Sequence, residues 1–164
     1  MSNDIVRRFD AIIIGTGQAG GPLAGRLAQH GMRVAIIERE HVGGSCINYG
    51  CTPTKSLAAA ARVAYLARRS ADYGVHHDNL RIDMQAVRKR KRRIVEAWRD
   101  GSTRALTSHD GIELIRGEGS FRSPHEVVVI PNDGSAEQVL SAERIFLNTG
   151  TRAFVPPIDG IDEV

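Results

Sequence analysis

The chain has 164 residues, 41% hydrophobic and 25% charged, with a formal net charge of +3 and a pI near 9.2. That composition fits a globular domain with a sizeable core, and no apolar run approaches the length of a membrane span or of a secretory leader. Two cysteines, Cys46 and Cys51, cannot staple a chain of this size, so a cytoplasmic location is expected, with the thiols reduced unless their disulfide is functional.

Residues 10–14 read as a buried strand bounded by Gly15. Residues 20–30 read as a helix with the apolar stripe Leu23, Ala24, Leu27 and Ala28, ended by Gly31. Residues 33–37 read as a second buried strand, so the chain opens β-α-β, the start of a parallel sheet covered by helices. A loop from His41 to Cys51 leads to a helix running to about Ser70, with Thr52 as N-cap, Pro53 at its first position, and Ala58, Ala61, Ala64 and Tyr65 as a close-packing surface.

A long helix is expected over 83–108, broken near Gly101. Its apolar positions Met84, Val87, Ile94, Val95, Trp98, Ala105 and Leu106 recur at roughly helical spacing. The basic block Arg88-Lys89-Arg90-Lys91-Arg92-Arg93 admits a nucleic-acid reading. The solvated face of this helix accounts for it better, and no nucleic-acid partner is expected. Short strands follow at Ile112–Ile115, Glu126–Ile130 and Val139–Leu147, separated by turn-rich pieces such as Pro131-Asn-Asp-Gly134.

The glycines cluster early. Gly15-Thr-Gly17-Gln18-Ala19-Gly20 has GxGxxG spacing between a predicted strand and a predicted helix. Gly15 permits the tight turn, Gly17 lets the backbone approach a pyrophosphate, and Gly20 allows close helix–strand packing. The phosphates would sit on the helix N-terminus, where unpaired N–H groups point outward. Glu38 closes the second strand and is placed to accept hydrogen bonds from ribose hydroxyls, while repelling a 2′-phosphate. Whether the dinucleotide is FAD or NAD, this motif leaves open.

The chemistry-bearing segment is Gly43-Gly44-Ser45-Cys46-Ile47-Asn48-Tyr49-Gly50-Cys51-Thr52-Pro53-Thr54-Lys55. Two cysteines five apart can close a small ring, and Cys51 lies almost at a helix N-terminus, which favours a thiolate. Such a disulfide can accept two electrons and return as a dithiol. A structural disulfide is the alternative. No metal site is expected, because the pair lacks further ligands at zinc spacing.

This segment closely resembles the redox-active motif of the class I pyridine nucleotide–disulfide oxidoreductases, the family of glutathione reductase, dihydrolipoamide dehydrogenase and mercuric reductase. Its fixed positions GG-[ST]-C-x-N-x-G-C-x-P-[ST]-K are all matched. The resemblance implies an α/β, Rossmann-like three-layer fold with a parallel sheet and a small antiparallel insertion, and it selects FAD as the dinucleotide. Gly15, Gly17, Gln18, Ala19, Gly20, Glu38 and Arg39 would then hold the ADP half, and Gly43, Gly44 and Ser45 would pass close to the nucleotide. Gly117-Glu-Gly119-Ser-Phe121 resembles the strand segment beside the adenine. Asn148-Thr149-Gly150 resembles an A-T-G segment that touches the nucleotide, with Asn in place of the common Ala.

The resemblance also implies roles for the remaining residues. Cys51 would face the flavin as its charge-transfer partner, Cys46 would be the interchange thiol and the more exposed sulfur, and Lys55 would bring its ammonium near the flavin. Thr54 would touch the cofactor or merely a neighbouring turn. NAD(P)H would reduce the flavin, which would reduce the Cys46–Cys51 disulfide. That dithiol would then reduce a small-molecule disulfide, dithiol or metal–thiolate substrate, in a parent protein expected to be a homodimer.

Residues 1–155 are read as the first part of the flavin domain, and 156–164 as the start of the crossover to an NAD(P)H-binding domain. No second GxGxxG is present, and the six histidines, among them His30, His41, His76 and His109, read as surface or turn residues rather than the family's acid–base histidine. The expectation is therefore an incomplete domain with weakened flavin affinity, no turnover alone, and a tendency to self-associate through uncovered apolar surface and sheet edges. A non-catalytic nucleotide-binding module and a small flavin-free thiol-exchange protein remain as alternatives.

Overall fold

The computed structural model describes residues 6–163. Seven strands form one sheet in the order β1-β6-β5-β4-β3-β2-β7. They are β1 (Val6–Arg8), β2 (Ala11–Ile14), β3 (Val34–Glu38), β4 (Ile112–Ser123), β5 (Glu126–Pro131), β6 (Gln138–Ser141) and β7 (Arg144–Leu147). The helices are α1 (Gly20–Gln29), α2 (Gly44–Asn48), α3 (Cys51–Arg68) and α4 (Met84–Thr107). Short 3₁₀ turns lie at Ser70–Tyr73 and Ile161–Glu163.

Strands β7, β2, β3 and the first half of β4 are mutually parallel. Beyond Arg116, β4 changes partner and pairs antiparallel with β5, which pairs antiparallel with β6. The expected parallel sheet with a small antiparallel insertion is thus present, and one 12-residue strand belongs to both parts.

Alternation along β2 and β3 builds two cores. Ala11, Ile13, Val34 and Ile36 point to one face, where they meet Ala24 and Ala28 of α1, Val42, and Leu106 of α4. Ile12, Ile14, Ala35 and Ile37 point to the other face and meet Val127, Val129 and Leu140 of the insertion. Strands covered on both faces read as unbroken apolar runs, which is why Ala-Ile-Ile-Ile and Val-Ala-Ile-Ile are legible as sheet centre. Each fully buried Ile contributes about 1.5–3 kcal/mol of transfer free energy. The result is three layers: helices, central sheet and β-insertion.

Several sequence expectations need correction. Helix α3 starts at Cys51 with Gly50 as N-cap, so Thr52 is not the cap and Pro53 occupies the third helical position. Pro is tolerated there because the first four N–H groups lack intrahelical acceptors. The His41–Cys51 loop contains the short helix α2. Helix α4 runs through Gly101 without a break; an interior glycine costs about 1 kcal/mol against alanine, which the remaining 23 or so helical residues outweigh. Its N-cap is Asp83, whose Oδ1 accepts from the N–H groups of Gln85 and Ala86 at 2.9 and 3.0 Å. The segment Val139–Leu147 is two strands, parted where Ala142 N–H donates to His125.

The helix faces also differ from the spacing argument. Met84 and Trp98 are exposed, while Val95 and Leu106 carry the buried side of α4. Ala58, Ala61 and Tyr65 lie on an uncovered face of α3; the helix packs on α4, and its less exposed positions include Ser56, Ala60, Ala64 and Ala67. The basic block is solvated except for half-buried Lys91. Among the described residues, no helix is long and apolar enough to cross a membrane.

These packing assignments set an order of stability effects. Ile36→Ala should destabilise by about 2–5 kcal/mol through lost transfer energy and a residual cavity. Asp83→Ala should cost about 1 kcal/mol through loss of the cap. Thermal or urea unfolding followed by circular dichroism checks both, and a larger loss for Asp83→Ala than for Ile36→Ala would contradict the layer assignment.

Candidate functional site

Strand order reverses at β2: the chain passes through α1 to β3 on one side and later returns through β7 on the other. Crevices at the carboxyl ends of strands at such switch points bind ligands. Here the crevice is a cavity of about 520 Å³. Gly15 follows β2, Glu38 ends β3, the Gly117–Gly119 stretch lies on β4, and Asn148 follows β7.

Gly15 sits at φ 103°, and a Cβ there would collide with the Asn148 carbonyl. The turn therefore passes directly beneath the end of β7. A Cβ on Gly20 would collide with the Gly15 carbonyl, as expected for tight helix–strand packing. Gly44, at φ 63°, would place a Cβ 2.7 Å from Gly17 Cα, so two glycines from different motifs approach at the fingerprint.

The carboxylate of Glu38 is buried and pre-positioned. Its Oε2 accepts from Thr16 N–H at 3.0 Å and from the Thr16 hydroxyl, and its Oε1 accepts from Glu40 N–H at 2.9 Å. Thr16 Oγ1 in turn accepts from Gly43 N–H at 3.1 Å. Oε2 is thus saturated, whereas Oε1 retains capacity for a hydroxyl donor.

The dithiol loop is bolted down by Asn48. Its Nδ2 donates to the carbonyls of Val42 at 3.1 Å and Gly44 at 2.9 Å, while its Oδ1 accepts from Arg99 Nε of α4 at 2.8 Å. Ser45 O accepts from the N–H groups of Tyr49 and Gly50 at 2.8 and 2.7 Å, turning the chain into α3. The two sulfurs are not bonded to each other and lie within hydrogen-bonding reach. The Cys46 thiol is pushed above its ordinary value, chiefly by its hydrogen bond to the Cys51 sulfur, then by burial and by negative charge on Cys51. The Cys51 backbone N–H and the Lys55 ammonium act in the opposite direction without prevailing.

The cavity gathers many of the sequence-selected residues: Gly15, Gly17, Gln18, Glu38, Arg39, Gly44, Ser45, Cys46, Gly117, Gly119, Thr149 and Gly150. Ala19, Gly20 and Gly43 do not line it; Ala19 is the N-cap of α1, and Gly20 packs on the Gly15 carbonyl. Cys51 and Lys55 lie outside its wall on α3, and Lys55 is exposed with no ion pair among the described residues. Arg39 faces Glu40 and Glu118 at 3.8 and 3.7 Å.

The expected exposure of the two sulfurs is reversed. Cys51 is exposed at the start of a helix whose outer face is uncovered, and Cys46 is half-buried because α2 is wedged against the fingerprint and against α3 and α4. His41, expected as a mere surface residue, is exposed yet lines the cavity, 6.2 Å ring to ring from Tyr49. Sequence reading missed Thr16, Asn48 and Arg99 as structural members. The fixed Asn of the cysteine motif was the available signal for Asn48; Thr16 and Arg99 had none.

A crevice of about 520 Å³ at a parallel-sheet switch point, with Cys46 of a close cysteine pair in its wall, is the arrangement of the nucleotide-handling class of α/β proteins. Comparison with known proteins narrows this. The sequence profile of the pyridine nucleotide-disulphide oxidoreductases matches residues 9–164, and the chain belongs to that family. It is 34% identical over 158 residues to dihydrolipoyl dehydrogenase of Acholeplasma laidlawii, covering 96% of this chain and 45% of that protein. It is 35% identical over 156 residues to mercuric reductase of Bacillus cereus, covering 95% of this chain and 24% of that protein. Among solved structures, the Cu(II) complex of the HOCl-induced flavoprotein disulfide reductase RclA from Escherichia coli superposes with a TM-score of 0.76 at 34% identity, covering 95% of this chain and 32% of that one. The chain therefore spans less than half the length of these relatives.

The sulfur pair yields a pH-dependent expectation. A raised Cys46 value keeps its thiol protonated, and alkylation needs the thiolate. Cys51→Ala removes the largest cause, so Cys46 should titrate at lower pH and react faster with iodoacetamide at about pH 8. The rate difference from the native pair should close at higher pH, where both thiols are ionised. Peptide mapping by mass spectrometry follows the rates, and equal Cys46 rates at pH 8 would contradict the coupling.

Proposed function

We propose that this chain supplies the FAD-binding and dithiol-bearing part of an NAD(P)H-dependent disulfide oxidoreductase. The observation that carries the reading is one cavity lined by the nucleotide fingerprint, by Glu38 and by Cys46. The residues fit a dinucleotide. The Gly17–Gly44 approach leaves a backbone-lined wall that a Cβ would fill, and Glu38 Oε1 is held with spare acceptor capacity. Gly15, Gly17, Gln18, Ala19 and Gly20 would hold the pyrophosphate, Glu38 the ribose, and Arg39, Gly117 and Gly119 the adenine side. Gly43, Gly44, Ser45, Thr149 and Gly150 would flank the rest.

A bound flavin supplies the two-electron step between nicotinamide and disulfide. The chain's own contribution is orientation and thiol chemistry. Cys46 donates its proton toward the Cys51 sulfur and needs a base before it can attack. Its thiolate would then cleave a substrate disulfide, forming a mixed disulfide and releasing one thiol. Attack by Cys51 on Cys46 would release the second thiol and close the internal disulfide. Two electrons and two protons return that disulfide to the dithiol. Cys51 would face the flavin, with Lys55 beside it.

Residues 1–155 would form this part of the flavin domain and 156–164 the lead into a nicotinamide-binding domain, in a cytoplasmic homodimer. The substrate class is a small disulfide or dithiol. A thiophilic metal bound as its thiolate is a second reading, favoured because one relative is named mercuric reductase and the RclA structure is a Cu(II) complex.

Visible absorption of the purified chain with added FAD, before and after anaerobic dithionite, tests the reading. The expected result is a retained flavin spectrum with a long-wavelength band on reduction that Cys51→Ser lacks. A retained flavin with identical spectra in both proteins would remove the dithiol from the flavin site.

A further inference from the structure

Asn148 stands where the wall of the cavity meets the fingerprint, and the glycines alone do not account for it. Its backbone N–H donates to Ile14 O at 2.8 Å, extending the β2–β7 ladder by one bond. Its side chain turns back into the loop, where Nδ2 donates to Gly15 O at 3.3 Å. Because a carbonyl is the acceptor, the group facing it is the NH₂ and not the amide oxygen. The same nitrogen lies 3.1 Å from the position of a Cβ on Gly17 and 2.8 Å from that on Gly20. It therefore sits in the hollow of the fingerprint. An amide NH₂ carries two protons, and the second has no protein acceptor among the described residues.

We propose that Asn148 is a pyrophosphate-binding residue, its free amide proton adding a side-chain donor to the backbone N–H groups of the Gly15–Gly20 loop. The inference rests on the dinucleotide reading above and adds a side-chain role for Asn148, the first residue of a segment that the family resemblance already sets beside the nucleotide. Two further observations agree with it. Helix α1 has no side-chain cap and no acidic residue in its first turn, so its N-terminal field is open to an anion. Asn148 is also half-exposed at the cavity wall instead of sealed behind it. The alanine common at this position in the family can make neither hydrogen bond. Through Gly15 O, the amide also fixes the peptide that must turn at positive φ, so one side chain holds the loop and meets the ligand.

The test is ligand binding. ADP-ribose carries the pyrophosphate without the flavin, and the pyrophosphate stays ionised across the useful pH range. Calorimetry with ADP-ribose and fluorescence anisotropy with FAD should be run on the native chain, Asn148→Ala and Asn148→Asp, with thermal unfolding as the check on folding. A hydrogen bond to an anion predicts about tenfold weaker ADP-ribose binding in Asn148→Ala at neutral pH. Asn148→Asp is nearly isosteric but acceptor-only when ionised, so it should be weaker still. It should recover toward the alanine variant or beyond as pH falls below about 4, where most of the carboxyl regains a proton to donate, with the native chain at each pH as the control. A merely structural role, acting through Gly15 O, would give the same pH profile, but it would also weaken adenosine, which lacks the pyrophosphate, by the same factor; adenosine binding should be unchanged in both variants, and an equal loss for adenosine overturns the proposal. Unchanged ADP-ribose affinity in both variants, or a pH-independent defect in Asn148→Asp, overturns the proposal. Native binding of ADP-ribose without FAD would overturn only the flavin reading, and native binding of neither would overturn both.

Discussion

The hydroxyl of Thr16 holds three segments that are far apart in sequence. It donates to Glu38 at the end of β3 and accepts from Gly43 N–H at the entry to the cysteine loop, while its own backbone follows Gly15. Thr16 is buried, so both bonds are made in a low-dielectric setting where a missing partner would be costly. Without the hydroxyl, the buried Glu38 carboxylate loses a donor and the Gly43 N–H loses its acceptor. The fingerprint, the ribose-side acid and the dithiol loop then lose their common reference point. The Gly17–Gly44 approach at 2.7 Å from a hypothetical Cβ depends on this tie, because it leaves no slack between the loops.

The tie works because the sheet brings the segments to one edge. Two apolar faces on β2 and β3 force helices to one side and the β-insertion to the other, leaving only the strand ends open. Polar groups at those ends can be turns or a binding site, but not core. The partner change along β4 contributes as well. Where its parallel pairing with β3 stops at Arg116, the next residues, Gly117 to Gly119, pass under the end of β3. Gly119 packs against Ile37 there, and a side chain at Gly117 would meet the Ile130 carbonyl at 2.5 Å. The glycines of that stretch are thus first a consequence of the strand crossing, which leaves the cavity wall smooth.

Much of this was legible in the sequence, for physical reasons that differ by element. The unbroken apolar runs of β2 and β3, the spacing of Gly15, Gly17 and Gly20, and the cysteine motif are local signals, each fixed by a period or by a steric requirement. The split of Val139–Leu147 into β6 and β7 was not legible, because both pieces are apolar and the division is set by which neighbours they find. The start of α3 was misread for a related reason. Thr52-Pro53 is a good opening pair in isolation, but the Ser45 carbonyl captures the N–H groups of Tyr49 and Gly50 and lets the helix begin earlier. Side-chain functions that depend on distant partners, those of Thr16 and Arg99, left no trace in spacing.

The basic block of α4 shows how a compositional signal can conceal a structural one. Six successive cationic residues suggest an anionic partner, yet Arg90 reaches across to the buried hydroxyl of Ser56 on α3 at 3.3 Å. Nearly two turns beyond the block, Arg99 donates to Asn48 in the dithiol loop. Two guanidiniums thus clamp α4 to the helix and the loop that carry the cysteines. Their planar, multi-donor heads suit this better than an ammonium, which would have to reach the same acceptors as a single flexible point charge. The long helix is therefore a brace for the redox segment. It spans from Asp83 to the sheet, packs Leu106 into the core, and from that fixed end holds α2 and α3 against the fingerprint. The placement of Cys46 in the cavity wall follows from this brace as much as from the cysteine motif itself.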